Sequence, residues 1–413
     1  RFMTYRELLE LYKQGKLEEN KKHEVESDIE RQEAISDYLF DRDAVDNDIF
    51  SDDKNLDDAE SENDFVKMIN SSIRKAFVKM GMTILVIAVA VMLFVVFALP
   101  NVVSQFYYNP GRDIGSETNR MSLDMSAYTE LRIPGYYRNN VMVSDEGYGD
   151  YYINIIQNMS YTGNFTNVSG KVEKGKLKLY DVNTLRKPSG NVFAWFQATC
   201  DSTKSLSEIE KTGWEPVSSA GDKETADERI NNLFENTNYL AYVTLDKMMT
   251  YDELMSFTDS DGYTYAQWCA VCTRNGINDG TEYFTVENLG FNCALSISSS
   301  MVWDEEKYPN LIVWNCPFDE NAGGYNDVSS VDENIKDTEY MKTHFVSLLR
   351  YMADQKQFLK LMDEEADVYS SAADYVEKNG LMVYGFAFVG DKERIQEVNA
   401  RDEVYQIYTQ EIR

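Results

Sequence analysis

Cys269 and Cys272 form a Cys-x-x-Cys motif, a spacing that could bind zinc or carry a redox-active dithiol. A redox pair of this kind needs a helix N-terminus, which lowers the pKa of the attacking thiol. The motif lies instead in YAQWCAVCTR, whose alternating pattern predicts a strand. Residues three apart in a strand point to opposite faces, so the sequence predicts buried structural thiols.

Other catalytic signatures are weak. The chain has 70 acidic residues and a net charge of −30, so an abundance of carboxylates is not itself a catalytic signal. A glycosidase-like pair of carboxylates stays open on this basis. The sequence has neither a Gly-rich phosphate loop nor a nucleophile elbow. We therefore predict that the protein is not an enzyme, with no catalytic residues and no cofactor.

Residues 80–99, MGMTILVIAVAVMLFVVFAL, carry no charge and are almost entirely apolar. As a helix, this stretch would be about 30 Å long, which matches the hydrocarbon core of a bilayer. It begins too far into the chain, and is too long, for the core of a signal peptide. The sequence therefore predicts one transmembrane helix and a single-pass membrane protein.

The flanks of this helix predict its orientation. Four basic residues precede it: Lys67, Arg74, Lys75 and Lys79. Residues 100–111, which follow it, carry no charge. Positive charge favours the cytoplasmic side, so we expect the N-terminus inside and residues 101–413 outside the cell. Tyr107 and Tyr108 are expected at the outer headgroups, and Phe77 at the inner ones.

Composition limits the possible partners. The two histidines, His23 and His344, fall on opposite sides of the predicted helix, which excludes a metal cluster built on two or more histidines within either half. The acidic balance argues against direct binding of nucleic acid. The 5 cysteines leave at least one thiol free, so the exported part is not a dense disulfide framework.

The N-terminal segment predicts a helical hairpin over residues 1–40. Thr4 and Glu7 form a capping box, and Gly15 ends the first helix. A hairpin of this size buries little core by itself. Either its two helices pack only against each other, or a partner protein completes its apolar face. In the second case the candidate partner-binding residues are Leu8, Leu9, Tyr12, Val25, Ile29 and Leu39.

Two segments connect this hairpin to the membrane helix. Residues 41–64 contain eleven acids against Arg42 and Lys54, which predicts a solvated acidic linker. An alternative is an acidic strand that covers the basic, DNA-binding surface of a partner. Residues 65–79 have apolar side chains at helical spacing together with four basic residues, which predicts an amphipathic juxtamembrane helix at the lipid surface.

The exported part is predicted to be α+β. Residues 100–200 are rich in strand patterns, including NVFAWFQAT, after a polar linker at residues 111–124. In residues 201–413 the pattern strand–helix–strand occurs twice, once around TYDELMSF and once around DKERIQEVNA. Two such units predict a sandwich with helices on one face of a sheet. Ferredoxin-like order is one arrangement of this kind.

The sequence shows two resemblances to known proteins, one in its N-terminal segment and one in the rest of the chain. TYRELLELYKQGKLEENKKHEVESDIERQEAISDYL is similar to the N-terminal hairpin of membrane-bound anti-sigma factors. FYYNP and YTELRIPGY resemble the N-terminal domain of the sigma factor regulator family. NYLAYVTLDKMMTYDELMSF, HFVSLLRYMADQKQFLKL and YVEKNGLMVYGFAFVGDKERIQEV resemble its C-terminal domain.

The resemblance implies a membrane-bound anti-sigma factor that sequesters an extracytoplasmic-function sigma factor and responds to an unidentified envelope signal. Many anti-sigma hairpins carry a His-x3-Cys-x2-Cys zinc signature. Asp28, Gln32 and Ile35 stand at those positions here, which implies a version without metal, and Glu18 replaces the usual Ser or Asn cap. The alternatives are an exported binding module for a peptide antibiotic or wall polymer, with a membrane anchor, and an envelope enzyme.

Overall fold

The computed structural model describes residues 5–41, 62–114, 118–159, 165–181, 185, 187–188, 190–196, 205–260, 263–264, 266–273, 288–293, 300–302, 304, 306–314 and 335–412. The chain divides into two compact units, Arg1–Val86 and Ile87–Arg413.

The N-terminal unit begins with the predicted hairpin. Helix α1 spans Tyr5–Lys13 and helix α2 spans Glu19–Asp41. Gly15 lies between them with a φ of +64°, a left-handed conformation that glycine adopts without the steric cost of a Cβ atom. The two predicted helices are confirmed; the proposed cap at Thr4 lies outside the described residues.

A long apolar helix follows. Helix α3 spans Glu62–Leu93, and a π-helical turn at Phe94–Ala98 connects it to helix α4, Leu99–Ser104. Pro100 has no N–H to donate to the preceding turn, which accounts for the interruption of the regular pattern there. The segment Ile69–Ser104 is long and apolar enough to cross a membrane, with a hydropathy of 3.1 in its most apolar window, none of which is buried in the protein.

The C-terminal unit contains a helix where the sequence predicted a polar linker. Helix α5 spans Arg120–Arg132, and the side chain of Asn119 caps it by accepting a hydrogen bond from the N–H of Ser122 at 3.0 Å. Every residue from Met121 to Arg132 is buried. The prediction of a linker over residues 111–124 is therefore wrong at its C-terminal end, because the polar residues of α5 face protein groups and not solvent.

Four antiparallel strands follow α5 and pair in chain order. Their bounds are β1 Tyr136–Gly147, β2 Asp150–Met159, β3 Phe165–Glu173 and β4 Lys176–Leu179. The strand-rich character predicted for this region is confirmed. NVFAWFQAT, however, is not a strand in its described part: Trp195 makes one isolated bridge with Val217, and Phe193 and Phe196 are buried instead.

The second sheet contains the two predicted strand–helix–strand units. Its strands are β5 Tyr239–Thr250, β8 Trp268–Val271, β9 Gly290–Asn292, β12 Met382–Gly390 and β13 Val404–Glu411. They lie in the order β13-β5-β12-β8-β9, with neighbours antiparallel. Without β9, the order of the two units is 4-1-3-2, which confirms the ferredoxin-like arrangement and the α+β class.

The remaining elements connect or cover these sheets. The helices are α6 Leu206–Glu210, α7 Lys223–Asn231, α8 Tyr251–Thr258, α9 Thr338–Asp354, α10 Lys356–Leu361, α11 Ala366–Asn379 and α12 Lys392–Asn399. The short strand pairs are β6 Asp259–Ser260 with β7 Tyr263–Thr264, and β10 Ser300–Val302 with β11 Ile312–Trp314. Gln355 separates α9 from α10.

Both faces of the five-stranded sheet are covered. Val243 and Phe386 belong to the large core, which also contains residues of the helices. On the alternate positions, Tyr242 and Trp268 pack with Phe193, whose ring stacks on Trp268 at 6.2 Å between centroids. The apolar segment around Phe193 thus covers the second face of the sheet.

Candidate functional site

Among the described side chains of the hairpin, one hydrogen bond joins its two helices and one aliphatic side chain is buried. The Tyr12 hydroxyl donates a hydrogen bond to Oε1 of Glu26 at 3.1 Å, and this bond raises the pKa of Tyr12. Val25 is 3% exposed and is the buried aliphatic residue of the hairpin's described part. The two helices therefore contact each other without enclosing a core.

The predicted partner-binding residues differ in exposure. Val25 is buried, Leu9 and Tyr12 are half-buried, and Ile29 is 39% exposed. The side chains of Leu8 and Leu39 lie outside the described residues. Of the side chains described, Tyr12 and Val25 face the partner helix, whereas Ile29 keeps an open apolar surface.

The motif Cys269/Cys272 is not a paired dithiol. Neither thiol is part of a disulfide. Cys269 is buried in β8, and the Sγ atom of Cys272 lies 3.8 Å from the Tyr375 hydroxyl. Burial, with a smaller contribution from neighbouring Cys293, raises the pKa of Cys269 well above its usual value. A thiol with a raised pKa is a poor nucleophile, so the geometry agrees with the predicted structural role.

Helix α5 carries a buried carboxylate at Asp124. Its oxygens accept hydrogen bonds from the hydroxyls of Tyr108 at 2.7 Å and Tyr351 at 2.5 Å, and Nε of Arg120 lies 3.5 Å away. Burial raises the pKa of Asp124 to about 6, against the opposing effect of these three partners. Asp124 thereby connects the segment that leaves the apolar helix to α9. The headgroup position predicted for Tyr108 is wrong, because Tyr108 is 1% exposed and bonded inside the protein.

Glu130, on the same helix, holds a second buried polar cluster. Its Oε1 atom lies 3.0 Å from Nε2 of His344 and accepts the backbone N–H of Asn292 at 3.1 Å. The Nδ1 atom of His344 lies 2.9 Å from the carbonyl oxygen of Asn310. The histidine is fully buried and both ring nitrogens have protein partners, so it connects α9 to α5 structurally.

Arg132 ends helix α5 beside a cleft of about 380 Å³. Its guanidinium pairs with Glu364 at 2.9 Å, and the same carboxylate accepts the Tyr128 hydroxyl at 2.8 Å and contacts Lys187 and Tyr369. These cations and hydrogen bonds hold the pKa of Glu364 below its usual value despite burial. Both cations of the cleft therefore pair with Glu364, and Asp363 and Glu365 also line it.

The sequence interpretation missed these three anchors. Asp124, Glu130 and Arg132 occupy three faces of one helix, and their main partners are residues of α9, the β9 strand and the segment after α10. The available signal was the stretch YTELRIPGY, which resembled the family, together with the Asn119 cap before a run of helix formers. Neither shows which side chains are buried.

Comparison with known proteins identifies one part of this fold. Residues 230–409 match the family model described as sigma factor regulator C-terminal. The match begins at the end of α7 and ends within β13, so it covers the five-stranded sheet except for the last two residues of β13. No curated protein and no solved structure matches the chain. The matched family is a regulatory and not a catalytic one. Residues 230–409 are therefore similar to the sigma factor regulator family, in agreement with the resemblance found in the sequence.

Proposed function

We propose that this chain is an anti-sigma factor anchored by one membrane helix. Its cytoplasmic hairpin, residues 1–40, binds and occludes an extracytoplasmic-function sigma factor. Residues 41–64 tether the hairpin, 65–79 meet the inner leaflet and 80–99 span the bilayer. The strand-rich residues 100–200 and the α+β residues 201–413 respond to an envelope signal. The match of residues 230–409 to the sigma factor regulator family supports the regulatory role.

The incomplete packing of the hairpin supports its role as the binding element. Among its described side chains Val25 is buried, while Ile29 remains 39% exposed and Leu9 half-exposed. Two helices of this length cannot bury enough apolar surface to offset the entropy of ordering them. A groove between helical domains of a sigma factor would cover the open face. Leu8, Leu9, Tyr12, Ile29 and Leu39 would contact the partner, and Val25 would hold the two helices in position.

The orientation is part of the proposal. The four basic residues between Lys67 and Lys79 favour a cytoplasmic N-terminus. Protease added to protoplasts should digest residues 101–413 and spare the hairpin. Protection of the C-terminal part in intact protoplasts, with digestion after lysis, would contradict this topology.

The binding role is tested by Leu9→Asp in the full-length protein. The change places a charge in an apolar contact. Loss of a buried anchor commonly costs about 2–4 kcal/mol at an interface, which lowers affinity at least about 30-fold. We expect the sigma factor to be lost from complexes purified from solubilised membranes, and transcription from its promoters to rise.

The matched control is His23→Asp, which adds the same acid at an exposed position of α2. It should leave both readouts near the wild-type level. Unchanged transcription in the Leu9→Asp strain, at normal protein abundance in the membrane, would exclude the hairpin as the binding element. The exported binding module would then become the better interpretation.

A further inference from the structure

The loop between β1 and β2 reaches back along the apolar helix. The Tyr148 hydroxyl donates a hydrogen bond to the carbonyl oxygen of Val95 at 2.8 Å, and the N–H of Gly149 donates to Oγ of Ser104 at 3.0 Å. Val95 lies about two and a half helical turns before Ser104. The loop therefore lies beside the last part of the helix and not beyond its end.

The loop between β3 and β4 is joined to the first. The N–H of Lys174 donates to the carbonyl oxygen of Gly149 at 3.0 Å and to Oδ1 of Asp150 at 3.1 Å. The ring of Tyr107 packs on both loops: a Cβ atom at Gly149 would lie 2.7 Å from Tyr107 Cδ2, and one at Gly175 would lie 3.7 Å from Cδ1. The two loops and the chain leaving the helix thus form one fixed surface.

Both loops are two-residue hairpin turns. Tyr148 has a φ of +56° and Lys174 a φ of +48°, and the glycines that follow them have a positive φ as well. Positive φ at both central residues is the pattern of a type I′ turn. The turns place an aromatic ring and an ammonium group at the two loop ends.

We define the loop surface by its exposed aromatic residues Phe106 and Tyr148 and by Lys174 and Lys176. Phe106 is 76% exposed and Tyr148 38% exposed. Lys171 and Lys178 of the same sheet pair with Glu146 and Glu173. In the part of the chain that the structure describes, by contrast, neither Lys174 nor Lys176 has a carboxylate within salt-bridge distance, and both are exposed. Beside its aromatic rings, the surface therefore presents two lysines without a salt bridge, with the carboxylate of Glu173 as their neighbour.

We propose that the loop surface lies on the membrane, with Phe106 and Tyr148 at the headgroup boundary and Lys174 and Lys176 on anionic lipid headgroups. The inference rests on the proposed membrane span. A lipid surface is the occupant because the loop surface is continuous with the apolar helix, to which it is bonded as far as Val95. Aromatic rings concentrate at this depth, and lysines near an anionic surface are attracted to it.

The test uses the full-length protein in vesicles of phosphatidylglycerol and phosphatidylcholine. The photo-crosslinker p-benzoyl-phenylalanine replaces Tyr148, Phe106, Phe97 or Phe165, one at a time. Phe97 lies in the apolar helix and is 68% exposed, and Phe165 is equally accessible at 64% but lies at the opposite end of β3. That separation from Lys174 is about 30 Å.

We expect lipid adducts from positions 97, 106 and 148 and none from 165. Adducts at 97 without adducts at 106 and 148 would overturn the membrane contact. An absence of adducts at 97 would refute the spanning helix itself, so failure of the proposed function is distinguishable from failure of this inference. Equal labelling at 165 and 148 would also overturn it, because contact would then not be specific to the loop surface.

A second arm tests the charge. In the crosslinker-148 protein, Lys174→Glu combined with Lys176→Glu should lower the ratio of phosphatidylglycerol to phosphatidylcholine adducts about fivefold or more, from about 1 kcal/mol per lysine at an anionic surface. Lys211→Glu with Lys378→Glu makes the same charge change at exposed positions elsewhere. This control should keep the wild-type ratio. An unchanged ratio in the first variant would overturn the role of the lysines.

Discussion

The N-terminal hairpin and helix α5 are both polar helical segments, yet they differ in how far their side chains are buried within the chain. Helix α5 buries every residue from Met121 to Arg132, and its charged groups find partners within the chain. The hairpin buries Val25 and leaves apolar surface open at Ile29. Polar composition thus does not predict exposure. The open surface of the hairpin is the one that the proposed sigma-factor partner would cover.

Glu130 gives the strongest expected contrast with the hairpin. Glu130→Ala removes the acceptor for His344 and for the N–H of Asn292 in a site that is 2% exposed. Breaking a buried, hydrogen-bonded pair costs about 3–5 kcal/mol. We expect a large fall in the urea midpoint of the solubilised protein, followed by tryptophan fluorescence, since Trp268 donates to the Glu130 carbonyl at 2.6 Å.

The control for this change is Glu228→Ala, which removes an exposed glutamate from α7. It should lower the free energy of unfolding by no more than about 0.5 kcal/mol. Equal shifts for the two variants would show that the polar cluster of α5 contributes little to stability.

Asp124 predicts an unusual dependence of stability on pH. Its carboxyl has a pKa of about 6 in the folded protein against 3.8 as a reference, chiefly because of burial. Between these values the folded state holds the proton more tightly than the unfolded chain, so the contribution is fully present below pH 4 and is lost as the pH rises through 6. A shift of this size is worth about 3 kcal/mol.

Asp124→Asn should remove this dependence. The stability of the wild type relative to the variant is expected to fall between pH 4 and pH 7, as measured by urea unfolding at each pH. Parallel curves for the two proteins would mean that the proton on Asp124 is not linked to folding. Other carboxylates, such as Glu364 with its lowered pKa, act oppositely and cancel in the difference between the two proteins.

Val25 and Ile29 separate the hairpin's own packing from its proposed interface. Val25→Ala should destabilise the hairpin by about 1–2 kcal/mol, since the side chain is buried, and should speed tryptic cleavage at residues 13–22 without a partner. Ile29→Ala should leave cleavage unchanged and weaken binding of the sigma factor. Weaker binding with Val25→Ala alone would move Ile29 out of the interface.

The smallest effect is expected in the acidic linker. Asp52→Asn combined with Asp53→Asn should change transcription by much less than Leu9→Asp does, because exposed charges on a solvated tether are screened by salt. A release of the sigma factor equal to that of Leu9→Asp, in a promoter-reporter assay, would support the acidic strand that covers a basic partner surface.

Local signals explain what the sequence could predict. The hairpin follows from helical spacing and Gly15, and α8 from the stretch TYDELMSF, where the structure shows a capping box of Thr250 and Glu253. The two strand–helix–strand units follow from alternating apolar runs. Each of these features depends on residues that lie within a turn or two of one another.

Long-range partners explain what the sequence could not predict. Asp124 and Tyr351 are 227 residues apart in the chain, and Arg132 and Glu364 are 232 apart. Nothing near residues 111–124 indicates that these partners exist, so the sequence predicts a linker that includes the first five residues of α5. The segment around Phe193 shows the converse, since an apolar run predicted as a strand covers a sheet without joining it. For the hairpin, helical spacing predicts the two helices but not which of their apolar side chains remain exposed.

The hydrogen bond between Tyr108 and Asp124 has a mechanical consequence. It lies between Ser104, where the apolar helix ends, and the centre of α5, which is enclosed by sheet and helices. Tension along the apolar helix would therefore reach the interior of the C-terminal unit. Force would first strain the bonds that Tyr148 and Gly149 make to Val95 and Ser104, and then the bonds that Asp124 receives from Tyr108 and Tyr351.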